Sequence, residues 1–191
     1  QESFEELRDF VGTVAEGGCH VFIVHARKAW LEGLSPKQNR EIPPLNYEWV
    51  YALKEQFPHL TIVLNGGIQS LEECEQHLTK VDGVMLGRAA YQTPWLLSTV
   101  DSRLFGAEDP ALTRESVIVK LSAYVDHYLA NGGRLNHVTR HILGLFHQQP
   151  GGRLFRRTLS EGAHLIDADG KVLLAALAEV TQRHGKESVV E

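Results

Sequence analysis

The sequence predicts a parallel α/β layer followed by an all-helical region, and three observations predict it. Three short, mostly apolar runs, Val21-Phe22-Ile23-Val24, Thr61-Ile62-Val63-Leu64 and Val84-Met85-Leu86, each end at glycine or polar residues. Continuous runs of this kind read as strands buried on both faces. Segments with apolar residues at helical spacing separate them, and such alternation builds a parallel sheet. Beyond residue 106 the short runs stop and only helical periodicity remains.

Each element has its own signal. Residues 3–16 place Phe4, Leu7, Phe10, Val11 and Val14 at helical spacing, and Gly17-Gly18 ends that helix. The first strand follows. Residues 30–45 contain Gly33, Pro36, Pro43 and Pro44, which predicts a long ordered loop. Asn46 is placed to cap a helix carrying Trp49, Val50, Leu53 and Phe57 on one face, and Pro58 ends it. After the second strand, Ser70 with Glu73 three residues on predicts a capping box. The third strand ends at Gly87-Arg88, and a short helix with Trp95 and Leu96 is expected next. Gly106-Ala107-Glu108-Asp109-Pro110 reads as a polar joint. Helical periodicity then runs through about 113–130, 134–147, 153–165 and 170–184, a bundle-like appendage of about four helices with a frayed end from 185. The expected division is 1–106 and 107–191.

Of the 191 residues, 43% are hydrophobic and 23% charged, so a sizeable core is available to a globular chain. No stretch approaches the roughly 20 apolar residues of a membrane span, and the N-terminus has no signal-peptide pattern. The chain begins at Gln1 rather than Met, which suggests a trimmed or partial chain. Two cysteines, Cys19 and Cys74, make no CxxC pair and too small a set for a disulfide framework, so reduced thiols in the cytoplasm are expected. Ten histidines show no metalloprotease spacing, and His137 with His141 lacks a third ligand, so no metal is expected. The net charge of −5 taken alone disfavours a nucleic-acid partner, but the charge is unevenly spread.

In parallel α/β folds the chemistry sits at the C-terminal ends of strands. Those ends read His25-Ala26-Arg27-Lys28, Asn65-Gly66-Gly67 and Gly87-Arg88. A glycine pair lets the backbone approach a phosphate and aim N–H groups at it. The helix that follows adds its positive end, and Arg88 can add a charge-assisted contact. One Gly-Gly after a strand is most often a tight turn. Two such ends on consecutive strands, with a basic residue, favour a flavin or nucleotide phosphate between residues 65–68 and 87–89. His25 is open to a structural role, to donation to a flavin carbonyl or phosphate oxygen, and to acid catalysis near neutral pH.

The longer runs around these residues closely resemble one family. They are His25-Ala26-Arg27-Lys28-Ala29-Trp30-Leu31, Gly33-Leu34-Ser35-Pro36-Lys37 and Asn39-Arg40-Glu41-Ile42-Pro43-Pro44-Leu45, then Asn65-Gly66-Gly67-Ile68 and Asp82-Gly83-Val84-Met85-Leu86-Gly87-Arg88-Ala89-Ala90-Tyr91-Gln92. Arg140-His141-Ile142-Leu143-Gly144-Leu145-Phe146, Pro150-Gly151-Gly152-Arg153, Arg156-Arg157 and Leu159-Ser160-Glu161 continue in register. The family is the tRNA-dihydrouridine synthases, and the bacterial A-type subfamily in particular. The resemblance implies the C-terminal portion of an FMN-binding TIM (β/α)8 barrel, followed by a small helical tRNA-binding domain. It implies NADPH-driven reduction of the C5–C6 bond of D-loop uridines (20/20a). It marks His25, Asn65, Gly66, Gly67, Gly87 and Arg88 as FMN contacts, and Lys37, Arg40, Arg153 and Arg156 as tRNA contacts. A complete barrel has eight strands in about 250 residues, and the three here look like its last three. The family's general-acid cysteine and a flavin-contacting lysine would then lie upstream, no catalytic residue falls in this chain, and residues 1–191 alone are expected not to turn over.

Residues 131–157 hold Arg134, Arg140, Arg153, Arg156 and Arg157 with no Asp or Glu, a one-signed stretch suited to a phosphate backbone. A target base must leave its stack to reach a flavin, and distributed phosphate contacts can offset that cost. Two other readings are an RNA-binding module without chemistry and a metabolic FMN-barrel enzyme acting on a free pyrimidine. The arginine cluster argues against the second. A monomer is expected.

Overall fold

The computed structural model describes residues 3–30 and 32–187, with side chains as far as Thr181. The chain forms two compact units, residues 1–88 and residues 89–191.

The first unit opens with α1 (Phe4–Glu16). Ser3 caps it by accepting from the Glu6 N–H, and Gly17 closes it. Strands β1 (Val21–His25), β2 (Thr61–Asn65) and β3 (Gly83–Met85) form a parallel sheet in that order. Val21 pairs with Thr61 and His25 with Asn65, and Asn65 pairs in turn with Met85. Between the strands lie α2 (Pro36–Asn39), α3 (Tyr47–Gln56) and α4 (Leu71–Leu78). Val50 and Leu53 of α3 and Leu71 and Cys74 of α4 are buried, as are Leu60, Ile62 and Leu64.

The sheet departs from the expectation of strands buried on both faces. Ile62 and Leu64 are fully buried, whereas Val21 and Ile23 are each 57% exposed and Met85 is 44% exposed. Successive side chains of a strand point to opposite faces. Among the described residues the helices cover one face only. The other face carries Val21, Ile23, Val63 and Met85, an apolar surface.

Three local expectations also change. The 30–45 segment is not wholly irregular. Ser35 and Gln38 form a reciprocal capping box around the single turn α2. At α4, Ser70 does accept from the Glu73 N–H at 3.1 Å, but the Glu73 carboxylate takes the N–H of Gln69 at 2.6 Å, so the box is not closed. The predicted 134–147 helix is the short α8 described below, followed by turns.

The second unit contains α5 (Arg88–Gln92, starting at the unit boundary), a 3-10 turn (Pro94–Thr99), α6 (Val100–Phe105), α7 (Arg114–Ala130), α8 (Leu135–Thr139), α9 (Gly152–Gly162) and α10 (Lys171–Glu187). The expected joint at 106–110 lies inside this unit, where Gly106 ends α6 with φ +67. Helix α10 continues through Glu187, so the expected frayed end is helical there, and 188–191 lie outside the described residues. After α8 the backbone tightens into bonds three residues apart, Ile142 to Thr139 and Leu145 to Ile142. Gly144 lies where any Cβ would run into the Gln92 carbonyl. The unit's core is Ile118, Val125, Leu135, Phe146, Phe155, Leu159, Leu173 and Val180. Phe146 and Phe155 meet with ring centroids 4.6 Å apart.

Candidate functional site

The ends of β1 and β2 are tied together. The Ala26 N–H donates to the Asn65 carbonyl at 2.8 Å, and the Asn46 N–H donates to the Ala26 carbonyl at 2.7 Å. His25 and Asn65 therefore stand side by side where the sheet ends. Gly66 and Gly67 follow with φ of +123° and +77°, a region costly for any residue with a Cβ. A Cβ on Gly66 would sit 3.2 Å from both His25 and Leu45, and one on Gly67 would collide with Leu45. The N–H groups of Gly66, Gly67 and Ile68 find no acceptor among the described residues. Free donors on a glycine turn form an anion-binding concavity.

Gly87 differs. Its φ is not positive, and a Cβ there would meet nothing within 4 Å. No protein neighbour requires a glycine at this exposed position.

Arg88 begins α5 beside Gly87. Its guanidinium pairs with Glu41 at 3.0 Å and donates to the Arg40 carbonyl at 3.3 Å. Arg27 reaches the same loop, donating to the Glu41 carbonyl at 2.9 Å and to the Pro43 carbonyl, while its Nε is buried without a partner. Asn39 and Trp30 exchange two hydrogen bonds, at 2.7 and 2.8 Å, across the loop. These ties hold Trp30 to Asn39 and the 40–43 stretch to Arg27 and Arg88. They leave the side chains of Lys37 and Arg40 exposed on and just after α2. Partial burial holds the His25 imidazole below its ordinary value, and repulsion from Arg27 and Arg88 adds to this. The lowered value favours the neutral imidazole, which can both donate and accept a hydrogen bond.

Tyr47 and Asn39 are supporting residues of the candidate site that sequence reasoning gave no role. Tyr47 donates to the Gly66 carbonyl at 3.0 Å, and only its place directly after the Asn46 cap hinted at it. Asn39 stood inside a family-like run without a signal of its own. Arg27 lay in the first strand end but was given no specific role.

In the second unit, α9 turns Phe155 and Leu159 inward and exposes Arg153, Arg156 and Arg157. None of these three arginines makes an ion pair with the described residues. Arg134 and Arg140 are also exposed, with Arg140 donating to the Asn136 carbonyl at 3.0 Å. Helix α9 starts from Gly151, whose Cβ would lie 2.8 Å from Val180 Cα, and it has no side-chain cap. Lys37 and Arg40 belong to the first unit, Arg153 and Arg156 to the second. Among the described residues, no three His, Cys, Asp or Glu side chains are grouped to hold a metal, and no helix is long and apolar enough to cross a membrane.

The family model described as dihydrouridine synthase (Dus) matches residues 1–182. The chain belongs to the dihydrouridine synthase family. It is 54% identical over 183 residues to the tRNA-dihydrouridine(20/20a) synthase of Vibrio vulnificus, covering 95% of this chain and 56% of that protein. The protein of that name from Vibrio cholerae is 54% identical over 181 residues, covering 94% and 55%. The one from Escherichia coli K12 is 53% identical over 184 residues, covering 96% and 53%. Among dihydrouridine synthases the likeness is to the bacterial A-type subfamily, and the chain spans about half the length of the curated relatives it matches.

Proposed function

We propose that the full-length protein is an FMN-dependent tRNA-dihydrouridine synthase, reducing D-loop uridines 20 and 20a with NADPH in the cytoplasm. Residues 1–106 would supply the last three β/α units of its barrel, and residues 107–191 its helical tRNA-binding domain. Family membership supports the chemistry. The parallel order β1-β2-β3 and the branched apolar face of Val21, Ile23 and Val63 suit a barrel interior, which such side chains fill.

The observation that carries the reading is the glycine turn at Gly66-Gly67, with free N–H groups beside His25. Gly67 and Ile68 N–H groups would hold the FMN phosphate, with Arg88 as its counter-charge across the open Gly87. Asn65 and His25 would orient the ring-bearing end of the cofactor by hydrogen bonds. When bound, the flavin supplies the reducing equivalents for the uracil C5–C6 bond. Neither cysteine is placed as the general acid: Cys19 donates to the Val21 carbonyl at 3.4 Å, and Cys74 is fully buried within α4. Lys37, Arg40, Arg153 and Arg156 would grip tRNA phosphates and set which uridine enters.

The test uses the full-length protein carrying Gly66→Val together with Arg88→Ala. Flavin absorbance per polypeptide is expected to fall far below that of the parent. Unchanged flavin content would remove the phosphate site from this pair of strand ends.

A further inference from the structure

The glycine turn rests on a second layer of aromatic groups. Tyr47 is the first residue of α3, directly after the Asn46 cap. Its ring meets the His77 ring edge-on, with centroids 4.6 Å apart and planes at 61°. His77 is buried at 8% exposure, and its Nδ1 lies 2.6 Å from the Tyr51 hydroxyl. Tyr51 stands one turn along α3 from Tyr47, so the imidazole is gripped by two rings of the same helix. The end of α3 is itself fixed to β1 through Asn46 and Ala26.

The Tyr47 hydroxyl therefore arrives at the Gly66 carbonyl from a rigid base, at 3.0 Å. The C=O of Gly66 and the N–H of Gly67 belong to one peptide plane. Among the described residues no peptide is cis, and in a trans peptide these two groups point in opposite directions. Holding the carbonyl fixes the amide. Without that hold the plane has unusual freedom, because rotating it changes ψ of Gly66 and φ of Gly67, and glycine accepts either sign of φ. On the opposite side of the turn, Glu73 takes the Gln69 N–H at 2.6 Å, while Tyr47 holds the Gly66–Gly67 peptide.

We propose that Tyr47 is a positioning residue for phosphate binding: its hydroxyl holds the Gly66 carbonyl and so aims the Gly67 N–H at the phosphate of FMN. This rests on the reading of the glycine turn as the phosphate site. In this role Tyr47 acts through the Gly66 carbonyl, to which its hydroxyl proton is donated, rather than by giving a hydrogen bond to the phosphate itself. Its contribution is the orientation of another group's donor before the ligand arrives, which is preorganisation.

The experiment compares wild-type and Tyr47→Phe full-length apo-protein, each titrated with FMN and with riboflavin, which lacks the phosphate. Wild type is expected to bind FMN more tightly than riboflavin. In Y47F the FMN Kd should rise by about three- to tenfold, the range of one lost hydrogen bond. The riboflavin Kd should stay within about twofold, and the apo-protein Tm within about 4 °C, as for a loss of no more than about 1 kcal/mol. Equal weakening toward both ligands would make Tyr47 a merely structural residue and overturn the proposal. An undiminished FMN preference in Y47F would overturn it while leaving the phosphate site in place. Equal affinities already in wild type would sink the phosphate site and the role of Tyr47 with it.

Discussion

Two helix starts in this chain carry opposite charge. Helix α4 follows the convention of helices that only have to fold: Ser70 caps it, and Glu72 and Glu73 occupy its first turn. Helix α9 starts from an uncapped glycine, has no acid in its first turn, and places Arg153 there instead. The unpaired N–H groups of a first turn favour negative charge by about 0.3–1 kcal/mol. An arginine in that position works against the fold by a similar amount. The α4 start is satisfied from within the chain, whereas the α9 start keeps its positive end and its arginines open to an anion from outside. A similar contrast separates the two proposed sites. The strand ends are tied by the backbone and by Tyr47, Arg27 and Asn39, while the proposed tRNA contacts on α9 would act by charge.

The largest expected effect lies on the inward side of α9. Phe155 is fully buried against Phe146. Phe155→Ala should destabilise the protein by about 3–5 kcal/mol, as other large-to-small core changes do. Chemical denaturation of the full-length protein measures this. A loss under 1 kcal/mol would mean that this helix is not anchored by its apolar side, and the division of α9 into a folding face and a binding face would fail.

The split of α9 into a buried side and an exposed basic side was visible in the sequence, and its reason is periodicity. Phe155 and Leu159 recur at helical spacing, while Arg153, Arg156 and Arg157 take other positions around the helix. Caps were visible too, at Asn46 and Ser70, because a cap acts on a neighbour two or three residues away. The strand ends of the candidate site were legible as glycine and polar breaks after apolar runs. What was not legible depends on residues far apart in the chain. Nothing local pairs Arg88 with Glu41, 47 positions earlier, or places Tyr47 under Gly66, 19 positions later. The 140–147 part of the expected helix misled because its apolar residues keep a helix-like spacing, whereas the backbone there runs in turns and Gly144 leaves no room for a Cβ against the Gln92 carbonyl. The apolar runs at β1 and β3 predicted two covered faces, but the described helices cover one.

The outward side of α9 should give a smaller effect of a different kind. In full-length protein, Arg153→Ala with Arg156→Ala should weaken tRNA binding and lower the slope of log Kd against log salt by about 2, one for each lost phosphate contact. Stability should hold or rise slightly, since the change at 153 removes a charge of the wrong sign for a helix start. Fluorescence titrations at several salt concentrations, beside a thermal melt, separate the two effects. An unchanged salt slope would deny these arginines their role. A drop in Tm comparable to that of Phe155→Ala would return them to the fold.

The smallest expected effect sharpens the contrast at the strand ends, where one charged group is not free. Arg88 is paired with Glu41 at 3.0 Å, with side chains 52% and 48% exposed. An exposed pair of this kind contributes at most about 1 kcal/mol, so Glu41→Gln should cost little stability. Arg88 would keep its bond to the Arg40 carbonyl, which holds it near the loop. Its charge would no longer be shared with a carboxylate, and the carboxylate's own repulsion of a phosphate would also be gone. Both changes favour an anion beside Gly87. The FMN Kd should therefore fall by about two- to fivefold, the equivalent of up to 1 kcal/mol, and the rate of flavin release should slow with it. A looser FMN complex would reverse the assignment of Glu41. The carboxylate would then be the clamp that aims Arg88, and this strand end would be preorganised from within the chain just as the Gly66-Gly67 turn is.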